Sequence, residues 1–372
     1  MKILHIIPNL RKGGAERIAI DICNELSRQG SDVILITFHN QNEYEFLTTE
    51  LKWNVIPSFI KPSISGKTSV DVRNLQAFID DFQPEIIHTH LFEAEMVVSQ
   101  IDYPKAAYFV HFHNNIPQLL NLDVKQLGSK LTWTDRYEKK LLSRAYKKRN
   151  VTVVAISKDV LSYATRVLSK NVRKVLLFNA INRSRFYTEL RQTTGDRIVM
   201  IGSLNENKDQ LLAARTIVEL NRRGTHIHLD LLGEGPLKPQ LEEYIAKNNI
   251  GDWIHLHGSV DHPESYLKDA SIYLHTSKAE AFGLVMVEAM AAGLPVICTD
   301  GGGNRDLIVE GKNGFMVEKR SAELLADKIE YLINNPKKRM EMGRNAQEFS
   351  EQFDISVYVE KLLGLYTSQL EC

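Results

Sequence analysis

Cysteine is scarce in this chain, and its three copies are scattered. Cys23, Cys298 and Cys372 occur among 372 residues, and they lack the close spacing of metal ligands. Such usage fits a reducing compartment better than a disulfide framework. A cytoplasmic location is therefore expected.

Long apolar runs are absent as well. The opening stretch, MKILHIIPNL, has one lysine and an apolar run too short for the core of a signal peptide. No later run approaches the roughly 18 residues of a membrane-spanning helix. We expect a cytoplasmic protein that is either soluble or bound peripherally to the inner face of a membrane.

The chain also has no net charge. Its 46 basic and 46 acidic residues cancel. The overall charge therefore does not favour binding to nucleic acid, and no nucleic-acid partner is expected. With 372 residues, the chain is long enough for two domains of ordinary size, each with its own core.

The most informative stretch extends from Ser271 to Asp306. It predicts a buried strand over Ser271–His275 and a polar loop over Thr276–Ala281, at the carboxyl end of that strand. Open α/β sheets bind their ligands at that edge. Good helix formers then predict a helix over Phe282–Ala292, which a Gly-Leu-Pro sequence ends.

Two glutamates stand out in this stretch. Glu280 falls in the loop, and Glu288 falls about two turns into the helix. Valine, alanine and methionine surround Glu288, so its carboxylate is expected to be partly buried, and a buried charge needs a partner such as a pair of ligand hydroxyls. From spacing alone, a solvated glutamate on the helix surface is the alternative.

The spacing of these glutamates, within EAFGLVMVEAMAAGLPVI, closely resembles the signature of the family-4 retaining glycosyltransferases of the GT-B fold. The motifs GGAER, AISKDV, FNAINRSRF, LNENK and GGNRDLIVEGKNGF follow the order and spacing of that family, so the resemblance covers nearly the whole chain. It implies an α/β protein with two facing Rossmann-like domains, each a doubly wound parallel sheet, and a C-terminal crossover helix. The resemblance is specific for the family and weak for the sugar.

The resemblance also implies roles for individual residues. Glu288 is expected to hold the ribose of a nucleotide-sugar, and Glu280 is expected to lie beside the donor sugar. The residues expected to bind the donor are Gly14, Ser203, Lys208, Glu280, Phe282, Gly283, Leu284, Glu288 and Arg305, and the expected catalytic residues are His113, Glu280 and Lys208.

The amino-terminal half predicts one α/β domain. A helix over Ala15–Arg28 follows Gly13 and Gly14, where backbone N–H groups can approach a phosphate. By itself a Gly-Gly pair more often marks a structural turn, whereas the resemblance implies a loop that faces the donor diphosphate and the acceptor. The expected strands are Lys2–Ile7, Val33–Thr37, Glu85–Thr89, Ala107–Phe112, Val151–Ile156 and Val175–Phe178.

Histidines occur at the ends of two of these strands. His88 and His90 share a face of one strand, and His111 and His113 share a face of its successor. Histidines at strand ends are often polar edge residues, but the family often has one over the donor sugar at the position of His111 or His113, and His113 is preferred. No cysteine or carboxylate accompanies these histidines at metal-ligand spacing, so no zinc site is expected.

The segment Lys125–Asn150 is strongly basic, with nine lysines or arginines against Asp135 and Glu138. Aromatic residues and leucines recur in it at near-helical spacing, which predicts a basic amphipathic helix. We expect this helix either to lie on an anionic membrane surface, as bacterial enzymes of this family often do, or to be an ordinary solvated helix.

A second α/β domain is expected after a boundary near residue 188, which gives domains 1–188, with a terminal helix at about 355–372, and 189–354. The resemblance, and not the sequence pattern, implies that Ile355–Leu370 returns to pack on the first domain. The expected strands of the second domain are Arg197–Gly202, His228–Leu232, Trp253–His257, Ser271–His275 and Pro295–Cys298, and its last helices are Ala322–Asn334 and Lys337–Phe349.

Lys208 lies in the loop after the first strand of this domain, where its ammonium and helix N–H groups could reach a diphosphate. The family usually has an arginine five residues earlier, but this chain has Ser203. Arg305 is a candidate for the missing charge. A milder departure is Ala281, which replaces the commoner glycine and requires only that the backbone there avoid positive φ.

The residues and the resemblance together predict a retaining glycosyltransferase. Its donor is expected to be a nucleotide-diphospho-sugar, in particular a UDP-sugar, held by glycine-rich loops at Gly233–Pro236, Gly258–His262 and Gly301–Gly303. Its acceptor is expected to be a glycan or a lipid-linked saccharide of cell-surface polysaccharide synthesis. No cofactor and no metal are expected, because positive groups and helix N-termini take the metal's place.

The same class of fold also supports other functions. A non-catalytic nucleotide-sugar-binding or partner subunit on the same fold is the alternative, because Ser203 and Ala281 depart from the family pattern. A nicotinamide dehydrogenase is disfavoured, since neither domain opens with GxGxxG and an acidic residue at the right distance.

Overall fold

The computed structural model describes residues 1–63, 68–120, 130–190 and 195–371. The chain forms two compact units, Met1–Asn179 with Ile355–Cys372, and Ala180–Asp354. The division thus falls at 179/180 and not near 188. The cause is local, because Arg185 donates hydrogen bonds to the Glu264 carboxylate at 3.2 Å and to the Asp261 carbonyl at 2.9 Å, and so holds this segment on the second unit.

The first unit is built on a parallel sheet. Its strands are β1 (Lys2–Ile7), β2 (Asp32–Thr37), β3 (Trp53–Val55), β4 (Phe59–Lys61), β5 (Ser69–Asp71), β6 (Ile86–His90), β7 (Ala107–Phe112), β8 (Val151–Ala155) and β9 (Arg173–Leu176). Seven of them form the sheet in the order β3-β2-β1-β6-β7-β8-β9, and β4 and β5 form a separate antiparallel pair. The central strands, KILHII in β1 and AYFVHF in β7, are almost entirely buried, as parallel strands between helices are.

The helices of the first unit cover this sheet. They are α1 (Gly14–Arg28), α2 (Glu45–Thr48), α3 (Arg73–Phe82), α4 (Leu91–Val98), α5 (Lys130–Lys148) and α6 (Lys158–Val167). In α1, Ile18, Ile22 and Leu26 recur every four residues and are buried, which gives the helix one apolar face. The hydroxyl of Ser157 caps α6 by accepting from the Val160 N–H.

The second unit contains a six-stranded parallel sheet. Its strands are β10 (Arg197–Ile201), β11 (His228–Leu232), β12 (Ile254–Gly258), β13 (Ile272–His275), β14 (Val296–Thr299) and β15 (Gly314–Val317), in the order β12-β11-β10-β13-β14-β15. Its helices are α7 (Arg183–Phe186), α8 (Gln210–Arg222), α9 (Lys238–Lys247), α10 (Pro263–Asp269), α11 (Leu284–Ala291), α12 (Ala322–Asn334) and α13 (Pro336–Ser350). Its core joins strand residues such as Ile198 and Leu229 to helix residues such as Leu212 and Ile329.

Most predicted elements are confirmed with small shifts. β1, β7, β11 and α12 have the predicted bounds, and β9 begins two residues earlier than predicted, at Arg173. The strands β3, β4, β5 and β15 were not predicted; the first three have only three residues each, too few to show periodicity.

The last helix, α14 (Ile355–Leu370), belongs to the first unit. Its Tyr366 is fully buried and packs edge-on against Phe109 of β7, with ring centroids 4.7 Å apart. Among the described residues, no helix is both long enough and apolar enough to cross a membrane.

Each sheet reverses its strand order at one point. That point lies between β1 and β6 in the first unit and between β10 and β13 in the second. Loops at the carboxyl ends of the strands separate there, which opens the crevice in which α/β sheets bind ligands. The two switch points therefore indicate where functional side chains should be sought.

Candidate functional site

Two predicted site residues and one further side chain meet at the switch point of the second unit. Lys208 follows β10, Glu280 follows β13, and His275 is the last residue of β13. The Lys208 ammonium donates to the Glu280 carboxylate, with Nζ and Oε2 2.6 Å apart. His275 Nε2 lies 3.0 Å from the same oxygen and donates its proton to it, because an ionised carboxylate only accepts.

The electrostatics of this group are set by its partial burial. Burial alone would raise the pKa of Glu280, but the hydrogen bond from His275 and the charge of Lys208 lower it to about 2. The His275 pKa lies below its usual range, because burial outweighs the hydrogen bond to Glu280. At neutral pH the group thus holds an ionised carboxylate, an ammonium and a neutral imidazole.

The loops that hold Lys208 and Glu280 are tied to each other. Asn207 Nδ2 donates to the Ala279 carbonyl at 2.9 Å, and the Ala279 N–H donates back to Asn207 Oδ1 at 3.0 Å. The Thr276 hydroxyl lies 2.9 Å from the carbonyl of Lys208. These bonds fix the distance between the ammonium and the carboxylate before any ligand arrives.

Arg320 organises the same loops, and sequence analysis did not identify it. It lies between β15 and α12, and its guanidinium donates to the carbonyls of Thr276 and Ser277 at 2.7 and 3.0 Å and to Asp209 Oδ2 at 2.5 Å. One side chain therefore ties the loop after β10 to the loop after β13. Arg320 is 111 residues from Asp209, so no local spacing could have revealed this link.

The helix that carries Glu288 begins with a special backbone conformation. Gly283 has φ of 102°, which only glycine adopts readily, and α11 starts at Leu284, two residues later than predicted. Ala281 replaces the family's commoner glycine, so its backbone must avoid positive φ, and Ala281 is indeed not among the residues with positive φ. Glu288 is half-buried, and its charge contributes to a pKa of Tyr273 above the usual range, after the larger effect of burial.

The side chain of Phe282, a residue predicted to bind the donor, is buried and does not face a ligand. Its ring is 1% exposed and packs edge-on against Phe353, with centroids 5.6 Å apart. The side chain is therefore a core residue of the second unit, and its main chain is what remains for a ligand. Leu284, the neighbouring predicted residue, is half-buried.

The glycine-rich loops of the second unit pack tightly against each other. A Cβ atom on Gly233 would lie 2.1 Å from the Gly202 carbonyl oxygen, and one on Gly235 would lie 2.3 Å from that of Leu204. A Cβ atom on Gly303 would lie 2.0 Å from the Ala281 oxygen. These glycines are required by the packing of loop on loop, which explains them without a ligand and holds the loops at the carboxyl edge of the sheet.

Ser203 and Arg305 each bond to neighbouring groups of the protein. Ser203 is exposed after β10, and its carbonyl accepts a bond from Gln210 Nε2 at 3.0 Å. The Arg305 guanidinium makes a two-pronged bond to the Asp300 carboxylate, from Nε to Oδ1 at 2.9 Å and from Nη2 to Oδ2 at 2.6 Å. Because Asp300 balances its charge, Arg305 is a weaker substitute for the family arginine than the sequence suggested.

In the first unit, the predicted glycine loop caps a helix. Gly14 is the first residue of α1, and the Gly13 N–H donates to the Tyr44 hydroxyl at 2.9 Å. The same hydroxyl donates to the Gly13 carbonyl at 2.9 Å. Tyr44 thus holds the loop in place, which supports the structural turn; the contact of Gly14 with a donor stays a prediction.

His113 is part of a larger histidine cluster, formed by His5, His88, His90, His111 and His113. His5 is level with His88 in the sheet, and His90 is level with His111. The ring centroids of His111 and His113 are 4.2 Å apart. The expectation of no zinc site rested on the absence of a cysteine or carboxylate at metal-ligand spacing, whereas histidine nitrogens from three neighbouring strands come together here.

The basic segment is confirmed as a helix in the part that the structure describes; residues 125–129 lie outside the described residues. In α5, Leu142 and Ala145 are buried. Lys139 and Arg149 donate to main-chain carbonyls of Leu119 and Val98, at 2.6 and 2.9 Å. The remaining basic side chains that are exposed are Arg136, Lys140, Arg144, Lys147 and Lys148.

Four of these exposed side chains follow one helical stripe. Arg136, Lys140, Arg144 and Lys147 are three or four residues apart, and Trp133, 42% exposed, begins the same stripe. Arg136 lies over the Trp133 ring, 5.6 Å from its centroid. The structure thus presents a basic stripe with an aromatic end, opposite the apolar side of α5.

Similarity to known proteins agrees with this description. Among curated relatives, an uncharacterized glycosyltransferase of Methanocaldococcus jannaschii is 32% identical over 54% of this chain and 55% of its own length. A Campylobacter jejuni enzyme, named for transfer of N-acetylgalactosamine to a diphospho-undecaprenol-linked saccharide, is 25% identical over 94% of both chains. Among solved structures, HepE of Anabaena with UDP-glucose has a TM-score of 0.77 at 20% identity, over 99% of this chain and all of its own.

Two family models match consecutive parts of the chain. The model described as Glycosyltransferase Family 4 matches residues 12–185, and the model described as Glycosyl transferases group 1 matches residues 185–349. The expected fold class is confirmed, since both units are Rossmann-like parallel sheets and the similar solved structures share the architecture. The chain therefore belongs to the family-4 and group 1 glycosyltransferases of the GT-B fold.

Proposed function

We propose that this protein is a retaining glycosyltransferase that uses a UDP-sugar and a lipid-linked or glycan acceptor in cell-surface polysaccharide synthesis. One observation carries the proposal. The Lys208–Glu280 pair, 2.6 Å long, joins the two loops that follow β10 and β13 at the switch point of the second sheet. A cation and a carboxylate held at this edge suit a diphosphate and a sugar.

Names of similar proteins support the choice of substrates. HepE of Anabaena was solved with UDP-glucose, and the Campylobacter relative is named for a lipid-linked acceptor. Both serve as models for this chain.

In the proposed reaction, the bond between the anomeric carbon and the β-phosphate oxygen breaks. The acceptor oxygen bonds to that carbon on the same face, and its proton passes to the departing diphosphate. Lys208 and loop N–H groups stabilise the charge that develops on the diphosphate, and no metal ion is required there. Glu280 orients the sugar, Glu288 holds the ribose hydroxyls, and His113 is proposed to contact the transferred sugar.

The basic stripe of α5 is proposed to bring the enzyme to a lipid-linked acceptor. Basic side chains near an anionic membrane surface each contribute about 1 kcal/mol of attraction. The tryptophan at the end of the stripe has the amphipathic ring that suits the interface. We propose a peripheral association with the inner face of the membrane on these grounds.

The function is tested by incubating the purified full chain with a panel of nucleotide-sugars, with and without lipid-linked saccharide acceptors. We expect release of UDP that depends on the acceptor, and a product whose anomeric configuration, measured by NMR, equals that of the donor. An inverted product contradicts retention. Tight binding of UDP-sugars without turnover on any acceptor would favour the non-catalytic subunit that the departure at Ser203 raises as an alternative.

The mode of donor binding has a separate test. Titration calorimetry with UDP is expected to give the same affinity before and after treatment with EDTA, because Lys208 and not a metal meets the diphosphate. Loss of UDP binding in EDTA overturns this part of the proposal. Glu288→Gln is expected to weaken UDP binding while the melting temperature without ligand stays that of the wild type; an equal loss of stability would assign Glu288 to the fold.

A further inference from the structure

The histidine cluster of the first unit offers more than a single sugar contact. β1, β6 and β7 are neighbours in the sheet, and alternate residues of a strand share a face. Three strands thereby bring His5, His88, His90 and His111 onto one side, and His113 follows directly after β7. The first four side chains are at most 2% exposed.

Several nitrogens of this cluster lack hydrogen-bond partners. Within the described residues, neither ring nitrogen of His111 has a partner, and Nδ1 of His113 and Nε2 of His88 have none. A buried polar atom without a partner is unfavourable and is rare in folded proteins. Neutral imidazole nitrogen is also the commonest metal ligand that proteins provide. Among these nitrogens, the lone pair of the His111 ring therefore indicates a ligand that accepts it.

We propose that His90, His111 and His113 form a binding site for a divalent transition-metal ion, with Zn²⁺ as the preferred ion. One ligand nitrogen of each lies within 4.8 Å of those of the other two. His90 Nδ1 and His113 Nε2 are 3.0 Å apart. Two nitrogens bound to one ion at 2.0–2.1 Å lie about 3.0–3.4 Å apart, so this pair already has the separation of two ligands.

The remaining atoms of the cluster support His90 as a ligand. When its Nδ1 binds the ion, its Nε2 keeps a proton and donates it to His5 Nδ1, 2.8 Å away. His5 Nε2 then donates to the Tyr366 hydroxyl at 3.3 Å, and this hydroxyl donates to His88 Nδ1 at 2.5 Å. One direction of donation thus accounts for each hydrogen bond from His90 to His88, and such outer hydrogen bonds orient metal-bound histidines.

The site also has an open side. His113 is half-buried, whereas His90 and His111 are buried, so an ion can enter past His113. Three nitrogens leave one tetrahedral position to water or a further ligand. The site lies in the first unit, whereas the diphosphate site is proposed at Lys208 in the second.

The test uses full-length protein with a tag that contains no histidine, stripped of metal by a chelator and dialysed. We expect titration calorimetry with ZnCl₂ to show one equivalent bound in the micromolar range or tighter. Added Co²⁺ is expected to give the visible absorption bands of a tetrahedral nitrogen-ligated ion, and Zn²⁺ is expected to raise the melting temperature. These readouts are independent of transferase activity, so they can fail while the proposed function stands, and the reverse.

Variants locate the ion. His111→Ala removes a ring without hydrogen bonds and is expected to weaken Zn²⁺ binding at least about tenfold, whereas His39→Ala, an exposed histidine of the same unit, is expected to leave it unchanged. His111→Phe keeps the ring volume and guards against loss of folding. The proposal is overturned if folded wild type binds no ion, if His39→Ala weakens binding equally, or if only His88→Gln abolishes it, which would place the ion on the other triad, His5, His88 and His90.

Discussion

Lys208 and Glu280 lie 72 residues apart in the chain and 2.6 Å apart in space, across the switch point of the second sheet. Their side chains are 21% and 13% exposed, so the pair is partly shielded from water. Without a donor, the charge of Lys208 is balanced by this carboxylate. A diphosphate that binds Lys208 as proposed must therefore compete with Glu280 for the ammonium, and the energetics of donor binding would include the loss or sharing of this pair.

Lys208→Ala is expected to lower kcat/KM about a hundredfold. Loss of one preorganised donor to a developing charge costs about 3 kcal/mol of transition-state stabilisation, and each 1.36 kcal/mol is about a factor of ten in rate. Steady-state turnover of the UDP-sugar measures this. Lys247→Ala, at an exposed position at the end of α9, is the control and should have wild-type turnover. Unchanged turnover in Lys208→Ala would place the diphosphate elsewhere.

Glu280→Gln is expected to separate binding from catalysis. The amide releases Lys208 from its partner, so UDP should bind about fivefold more tightly, which corresponds to about 1 kcal/mol. Turnover should fall at least about tenfold, because the carboxylate no longer orients the sugar. Calorimetry with UDP and kinetics with the UDP-sugar measure the two effects. Weaker UDP binding together with unchanged turnover would contradict the assigned roles.

Ser203→Arg is expected to tighten UDP binding about tenfold, because it adds a charge-assisted donor beside Lys208. Arg305→Ala is expected to change turnover less than about threefold, since its guanidinium is 66% exposed and paired with Asp300. Kinetics of the two single variants and of the double variant show whether an arginine at position 203 and Arg305 serve the same phosphate. If the new arginine rescues a large loss in Arg305→Ala, both side chains serve one phosphate, and Asp300 does not keep Arg305 away from the donor.

Glu95→Gln is expected to flatten the dependence of stability on pH. Burial raises the pKa of Glu95 to about 8, against 4.5 for the ordinary side chain, and the Tyr146 hydroxyl donates to it. Between these values the folded protein keeps a proton that the unfolded chain releases, so the free energy of unfolding falls as the pH rises from 4.5 to 8. Glutamine at position 95 does not titrate, so in this variant the free energy of unfolding no longer falls for this reason.

Thermal melts from about pH 5 to about pH 9 measure this effect. We expect the melting temperature of Glu95→Gln to rise relative to that of the wild type as the pH rises. A difference of 1 kcal/mol in stability corresponds to about 2–4 °C in melting temperature. Glu93→Gln, an exposed neighbour on the same helix, is the control and should follow the wild type. Parallel curves for Glu95→Gln and the wild type would show that the Glu95 pKa is not raised.

Replacing Lys140, Arg144 and Lys147 with glutamine is expected to weaken binding to anionic vesicles. At about 1 kcal/mol for each basic residue near the surface, three replacements lower the partition coefficient on the order of a hundredfold at low salt. Vesicle sedimentation measures the bound fraction. Glutamine at three exposed lysines elsewhere, Lys105, Lys170 and Lys247, is the matched control. Equal binding of the wild type to neutral and anionic vesicles, or no effect of salt, would remove the electrostatic basis.

The sequence indicated those parts of the site that lie in one short segment. Glu280 and Glu288 share a strand-loop-helix stretch, so their spacing carried a recognisable pattern, and Lys208 stood at a strand end with the same geometry. The partner of Glu280 that lies nearest in the chain, His275, was placed correctly at the end of its strand. Its hydrogen bond to Glu280 was not predicted, because the path of the loop between them depends on tertiary contacts.

Side chains that link distant segments could not be predicted in this way. Arg320 reaches Asp209 across 111 residues, and an arginine before a helix has no distinguishing neighbours in the sequence. The histidine cluster shows the same limit, since each strand has at most two histidines and His5 stands alone in β1. Register between β1, β6 and β7 decides that the rings meet, and strand pairing is not encoded by the period of any single strand.

The final helix affects the order in which the two units can be completed during synthesis. The second unit is one continuous segment, 180–354, and can close as soon as that segment has left the ribosome. The first unit waits for α14, because Tyr358 and Tyr366, both buried, come from this last helix of the chain. The unit whose synthesis begins first is thus the last to be complete, and a chain that stops before residue 355 holds an intact second unit and a histidine cluster without its tyrosines.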